Sequence, residues 1–207
     1  EVASQSNATK YKFEEGKLVS DTAVNVTEHR LNGKDYFFNQ NGEMVAKFVE
    51  MNGNMYYLGG SDDGVMKTGS VSIADDTGET YRFYFATKES EGGKGVGYTG
   101  NKSGKLYYDG MLIAAEDYRY EIVEVNGAYF IVNQSGSIQH SNTSYKEDGD
   151  TIIRTRVDKD EDPAGSVDTV FNDGKEDSRM EDSFASLNDL LDYDENVVTG
   201  NAADMVY

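Results

Sequence analysis

The 207-residue sequence contains no Cys, no Trp, a single Pro (Pro163) and two His. Zero Cys removes disulfides, zinc–thiolate sites and thiol catalysis together. No stretch approaches the roughly 20 consecutive apolar residues of a membrane-spanning helix, so membrane insertion is not expected. Basic residues are also scarce: 19 Lys and Arg stand against 38 Asp and Glu, a net charge of −19. Such a charge repels nucleic-acid phosphates and anionic membranes, so both are poor partners and neither is expected. It suits cationic ligands or divalent ions, and otherwise serves to keep a surface protein soluble. The chain opens on Glu1 rather than Met, as a processed protein or an expressed fragment does.

What is abundant is Gly (22), Tyr (15) and Phe (9). That many aromatics argue against disorder, and aromatics mixed with glycines predict many short strands and tight turns. The two classes recur together. Asn32-Gly33-Lys34-Asp35-Tyr36-Phe37-Phe38 runs into Asn39-Gln40-Asn41-Gly42-Glu43-Met44, and Asn52-Gly53-Asn54-Met55-Tyr56-Tyr57-Leu58 runs into Asp62-Asp63-Gly64-Val65-Met66-Lys67-Thr68-Gly69. Looser copies open at Thr77-Gly78, Ser103-Gly104 and Asn126-Gly127, and Tyr11-Lys12-Phe13-Glu14-Glu15-Gly16 is a partial copy upstream. A drifting repeat of this length predicts stacked supersecondary units.

Each unit reads as a β-hairpin, its aromatic run a strand and its Asn-Gly or Asp-Gly a tight turn. Aromatics on both faces of a run predict that both faces are covered, with stacking the source of stability. The expected fold is all-β, a solenoid-like stack of hairpins. Residues 1–10 read as a tail, 11–146 as the hairpin-repeat domain and 147–207 as an acidic C-terminal extension. Within that extension Thr151–Val157 and Ser166–Phe171 read as strands, and Phe184, Leu187, Leu190 and Leu191 fall at the spacing of one short helix. The glycine-rich stretch 86–100 reads as a flexible exposed loop. Open edges of a hairpin stack would allow pairing between chains, so a homodimer is an expectation to test.

The repeats resemble the cell-wall-binding repeats, also called choline-binding or glucan-binding repeats, of Gram-positive surface proteins. Gly53 to Gly69 carries the resemblance best, with Tyr56-Tyr57-Leu58, Gly64, Met66, Lys67, Thr68 and Gly69 in matching places. The resemblance implies a β-solenoid on the cell exterior, attached to choline-bearing teichoic acid or wall polysaccharide and acting without catalysis. It further implies an aromatic cage between consecutive hairpins, where cation–π attraction holds choline. Ser70 stands where the family has Trp, so any cage here is built from Tyr, a weaker partner.

Other chemistry finds less footing. Carboxylate pairs suited to glycoside hydrolysis occur by chance among so many acids. His29 and His140 lie in different units without a third ligand. Asp158-Lys159-Asp160-Glu161-Asp162 begins like a calcium loop but has Pro163 where the turn Gly belongs and Thr169 where a bidentate Glu belongs. The sequence therefore predicts no catalytic residue, no metal and no cofactor. Strand alternation puts Tyr57, Tyr84 and Tyr108 on an outer face, and these are the candidate ligand-binding residues for a wall polysaccharide or teichoic acid. The alternative is a structural spacer or a host-facing adhesin that presents a protein-interaction surface.

Overall fold

The structure is a computed structural model that describes residues 4–116, 119–140, 144–146, 152–156, 165–167 and 169–171. Regular structure in these residues is β throughout, save one 3₁₀ turn at Glu89–Glu91. In chain order the strands are β1 (Ser6–Glu14), β2 (Lys17–Leu31), β3 (Lys34–Asn39), β4 (Phe48–Met51), β5 (Asn54–Tyr57), β6 (Gly69–Ala74), β7 (Thr80–Phe85) and β8 (Gly100–Lys102). There follow β9 (Lys105–Tyr108), β10 (Met111–Leu112), β11 (Tyr120–Val125), β12 (Ala128–Asn133), β13 (Ser144–Lys146), β14 (Ile152–Arg156) and β15 (Thr169–Phe171). The described residues fall into two compact units, one built from residues 4–99 and Asp109–Met111, the other from Gly100–Tyr108 and the described residues from 112 to 171.

Local chemistry sets the turns. The pairs Glu15-Gly16, Asn32-Gly33, Asn52-Gly53, Ser103-Gly104 and Asn126-Gly127 all have positive φ at both residues. This is the two-residue hairpin turn whose twist matches that of the flanking strands. In the copies opening at 32, 52, 103 and 126 the opening pair is thus the hairpin turn itself, whereas Thr77-Gly78 belongs to a longer turn from Asp75 to Glu79. The polar segment behind the aromatic run has a different task. The Asn39 side chain accepts the N–H groups of Asn41 and Glu43, and Asn133 accepts those of Ser135 and Ser137. Each loop folds the chain back along its own strand, so that Val45 N–H donates to the Phe37 carbonyl and Gln139 N–H to that of Ile131.

In the first unit β1 to β5 form an antiparallel sheet in the order β3-β2-β1-β4-β5. Both faces are covered, as the aromatic pattern predicts. One face carries Ala8, Val26, Phe37, Val49 and Leu58; the other carries Phe13, Leu18, Phe48 and Met55, packed with Phe83 and Phe85 of β7. Leu18 and Val26 have the same parity along β2 yet serve opposite faces. The register explains it: Thr9 pairs with Ala23 but Tyr11 with Ser20, so β2 holds one extra residue there and everything beyond changes side.

Returning segments also occupy the sheet edges. Met66 N–H donates to the Asp35 carbonyl of β3, and Gly97 N–H and Lys67 N–H donate to the Met55 and Tyr57 carbonyls of β5. At these positions the ladder expected to pair with a second chain is already filled.

Several expectations change. β1 begins at Ser6 and buries Ala8, so the strand intrudes on the ten residues assigned to a tail. Segment 86–100 is exposed only in part: residues 87–90 and Gly92 are exposed as expected, but Gly95, Val96 and Gly97 are buried, and Ala86 and Val96 bond backbone to backbone. Its acids and lysine anchor it, Glu91 accepting from Thr87 N–H and Lys94 Nζ lying 2.8 Å from the buried Asp35 carboxylate.

The second unit pairs β8 with β9 and β11 with β12, and a three-stranded antiparallel sheet holds β13, β14 and β15. β14 and β15 fall where the acidic extension was expected to form strands. Its expected helix lies outside the described residues.

Candidate functional site

The first unit contains an open groove of about 580 Å³, within the range of small-ligand sites. Its position follows from strand lengths. β1 meets β4 only as far as the Tyr11–Phe48 pair, so Lys12, Phe13 and Glu14 run on past the start of β4. Consecutive residues Lys10 to Glu14 line the groove. Side chains alternate across a strand, so a run of neighbours lines one cavity only where it opens at the strand's edge.

Tyr11, Phe13, Phe48 and Tyr57 form its aromatic wall. Phe48 and Tyr57 pack at 4.8 Å between ring centroids, and Tyr57 stacks on the buried Phe85 at 6.2 Å. The tyrosines are half-buried and both pack against the Phe13, Phe48 and Phe83 cluster. Burial, then the carboxylates of Glu50 and Asp109, push the Tyr11 hydroxyl above its ordinary range; burial, then Asp63, do the same for Tyr57. Both stay protonated and present a neutral donor beside an aromatic face, a combination suited to a sugar ring and its hydroxyls.

The polar rim holds Lys10, Lys47, Ser61 and Ser72, and a clasp of two aspartates. Asp75 Oδ1 accepts Thr77 N–H (2.9 Å), Thr77 Oγ1 (2.7 Å) and Glu79 N–H (3.0 Å), while its Oδ2 accepts Gly16 N–H at 2.9 Å. Asp76 accepts Glu15 N–H at 2.8 Å. The β6–β7 turn is thereby clamped onto the β1–β2 turn. Burial pushes the Asp75 carboxyl up, but the hydrogen bonds from Thr77, Glu79 and Gly16 outweigh it and hold it below its ordinary 3.8.

A carboxyl whose folded pKa is depressed contributes stability that is present above its unfolded pKa and lost as pH falls through the folded one. The denaturant midpoint should therefore fall once pH drops below about 3.8. Asn39 and Asn133 hold their loops through one amide oxygen, so Asp75→Asn can keep the Oδ1 bonds to Thr77 and Glu79 but sets its NH2 against Gly16 N–H; it should lower stability at neutral pH and flatten that acid limb. Urea titrations across acid pH measure both.

The sequence-predicted tyrosines separate. Tyr57 lies in the groove. Tyr84 is half-buried elsewhere in the first unit, its hydroxyl 3.3 Å from both Glu91 carboxylate oxygens and its ring edge-on to Tyr98 at 5.8 Å. Tyr108 is not on an outer face. It is 2% exposed, packed with Val123, Val125 and Phe130. Leu106, Tyr107 and Tyr108 are all buried, so both faces of β9 are covered and alternation does not pick out an exposed side. Tyr11 and Lys47 were missed as site residues, although Tyr11 begins the partial copy of the repeat.

No family model matches the chain, and no curated protein sequence matches it. Solved structures give a partial likeness. CbpF in complex with ipratropium is 19% identical with a TM-score of 0.44, covering 80% of this chain and 49% of that one. Choline-binding protein F from Streptococcus pneumoniae in a second crystal form is 16% identical with a TM-score of 0.43, covering 78% and 52%. The same protein with a peptidoglycan analogue is 18% identical with a TM-score of 0.27, covering 81% and 60%. The chain thus spans about half the length of these proteins. The functional reading rests on the groove itself.

Proposed function

We propose that the chain is a non-catalytic, extracellular glycan-binding module, a solenoid-like array of hairpins whose ligand class is cell-wall polysaccharide or teichoic acid. The observation that carries this reading is the groove of about 580 Å³ with Tyr11 and Tyr57 half-buried in its wall. Aromatic faces packed against the phenylalanine cluster, with serines, lysines and carboxylates along the rim, match the alternating apolar faces and hydroxyls of a sugar chain. The arrangement of Asp75 and Asp76 favours binding over catalysis. Their oxygens accept backbone N–H groups that hold two turns together, and a carboxyl kept below its ordinary range is a poor proton donor at neutral pH.

Co-sedimentation of the protein with Gram-positive cell walls, before and after teichoic acid is stripped, tests the reading. Binding is expected, with Tyr57→Ala and Tyr11→Ala each weakening it about tenfold through loss of ring stacking. Loss of binding on stripping identifies teichoic acid; retention identifies a polysaccharide. Absence of binding to either wall would sink the proposal and leave the spacer or adhesin as the better account.

A further inference from the structure

We infer that the outer face of the first repeat, on β2 and β3, is a self-association surface that pairs with the same face of a second copy of the chain.

Within each unit, neighbouring repeats meet through the same contacts. In four repeats the segment returning after the loop donates an N–H to its own aromatic strand: Val45 to the Phe37 carbonyl, Lys67 to Tyr57, Tyr98 to Tyr84 and Gln139 to Ile131. These bonds align the repeats with one another. Three residues before each donor stands a glycine of positive φ: Gly42, Gly64, Gly95 and Gly136 in turn. A methyl built on Gly64 would overlap the Met44 sulfur, one on Gly95 the Met66 sulfur, and one on Gly136 the Leu112 side chain. Each of these glycines is a seat, open for want of a Cβ, on which the repeat before it rests a Met or Leu. Gly42 differs, since a methyl there meets nothing within 4 Å.

Two further contacts are missing at the same place. The residue just before the donor is Met66, Gly97 or Ile138, and its N–H reaches back to the repeat before, to the Asp35, Met55 or Gly104 carbonyl. Its counterpart Met44 has no such bond among the described residues. The strand residue just after the acceptor is Leu58, Phe85 or Val132, each 0% exposed, whereas its counterpart Phe38 is only half-buried. The first repeat thus carries the receiving half of a repeat-to-repeat contact, with no repeat seated on it among the described residues.

This face is apolar. Register across β2 and β3 sets His29 and Leu31 on the same side as Tyr36 and Phe38, and Met44 bridges Phe38 from the returning segment. His29 packs edge-on to Phe38 at 5.6 Å between ring centroids. Leu31, at 49%, and Met44, at 40%, are the large apolar side chains left exposed among the described residues. Gathered on one face of a chain that carries −19, they mark an interaction site.

A second copy fits the face because the face holds what its own seat lacks. A thioether covers Gly64 and Gly95 within the chain, and Met44 stands two residues from Gly42. A twofold axis beside Glu43 therefore lays Met44 of each copy over Gly42 of the other, a self-complementary and closed contact. Returning segments already fill the sheet edges at Asp35, Met55 and Tyr57, so the copies meet face to face and not through a strand ladder. The net charge repels the two copies at long range, and salt screens that repulsion while leaving apolar burial intact.

Sedimentation of the full chain over a range of concentrations and salt is the test. A reversible monomer–dimer equilibrium is expected, tightening as salt rises. Leu31→Lys sets a charge in the contact, and Gly42→Asn fills the seat with a residue that tolerates positive φ; each should weaken the dimer about tenfold. Both positions are exposed, so unchanged urea midpoints at concentrations where the chain is monomeric separate a lost contact from a lost fold. A chain that stays monomeric at the highest concentration reached would overturn the proposal. So would a dimer indifferent to both substitutions, or one that salt dissociates. Wall binding is read in a separate assay, so none of these results bears on the glycan reading.

Discussion

Gly97→Ala should destabilise the first unit by about 3 kcal/mol, at the upper end of what overpacking a tight interior costs. A methyl group built on Gly97 would overlap the backbone carbonyl of Asp109 and press on the N–H of Gly110. These are backbone atoms and cannot swing aside as the end of a side chain would. Gly97 also donates its N–H to the Met55 carbonyl at 2.7 Å and bridges Phe85, so any shift away from Asp109 loosens the contact with β5 as well. Gly33→Ala is the matched control. A methyl there meets nothing within 4 Å, and only the left-handed backbone at φ 78 resists it. That substitution should cost about 1 kcal/mol. Urea unfolding followed by tyrosine fluorescence reads both; equal losses would mean that the Gly97 approach is not tight.

Phe83→Ala should cost about 4 kcal/mol, the range found when a buried phenylalanine is truncated. Phe83 is 0% exposed. Its ring meets Phe48 at 5.3 Å and Phe13 at 5.4 Å, and stacks on Phe85 at 5.9 Å with the planes 2° apart. Those neighbours belong to β1, β4 and β7, which are fixed by their own ladders, so the cavity cannot close without breaking strand pairing. Phe85 stacks on Tyr57, so under the proposed function this variant should also weaken glycan binding while leaving the groove's polar rim in place. A loss below about 1 kcal/mol would show that the core repacks around the gap.

The hairpin turns were legible because their cause is local. Two consecutive positive-φ residues are needed, Asn and Gly tolerate that conformation, and the chain carries such pairs before the runs of β3, β5, β9 and β12. The covering of both sheet faces was legible for a similar reason: Tyr56 and Tyr57 are neighbours on one strand and must point oppositely, and each finds its own cluster. Tyr108 shows where this reasoning stops. Alternation separates two faces but does not say which of them another strand will cover, and around β9 both are covered.

By itself, then, the sequence determined the β class and most of the turns, since each follows from dihedral preference or side-chain type. Tertiary structure alone decided where the candidate groove lies. The groove exists because β1 outruns β4, a consequence of register and not of composition. The extra residue in β2 changes which face its side chains serve, and no reading of hydrophobic parity reveals it. Asp75 and Asp76 look like any of the other acids until residues some 60 positions away donate N–H groups to them. Local preferences act over a few residues and can be read in order along the chain; burial, pairing and charge balance depend on which distant segments meet.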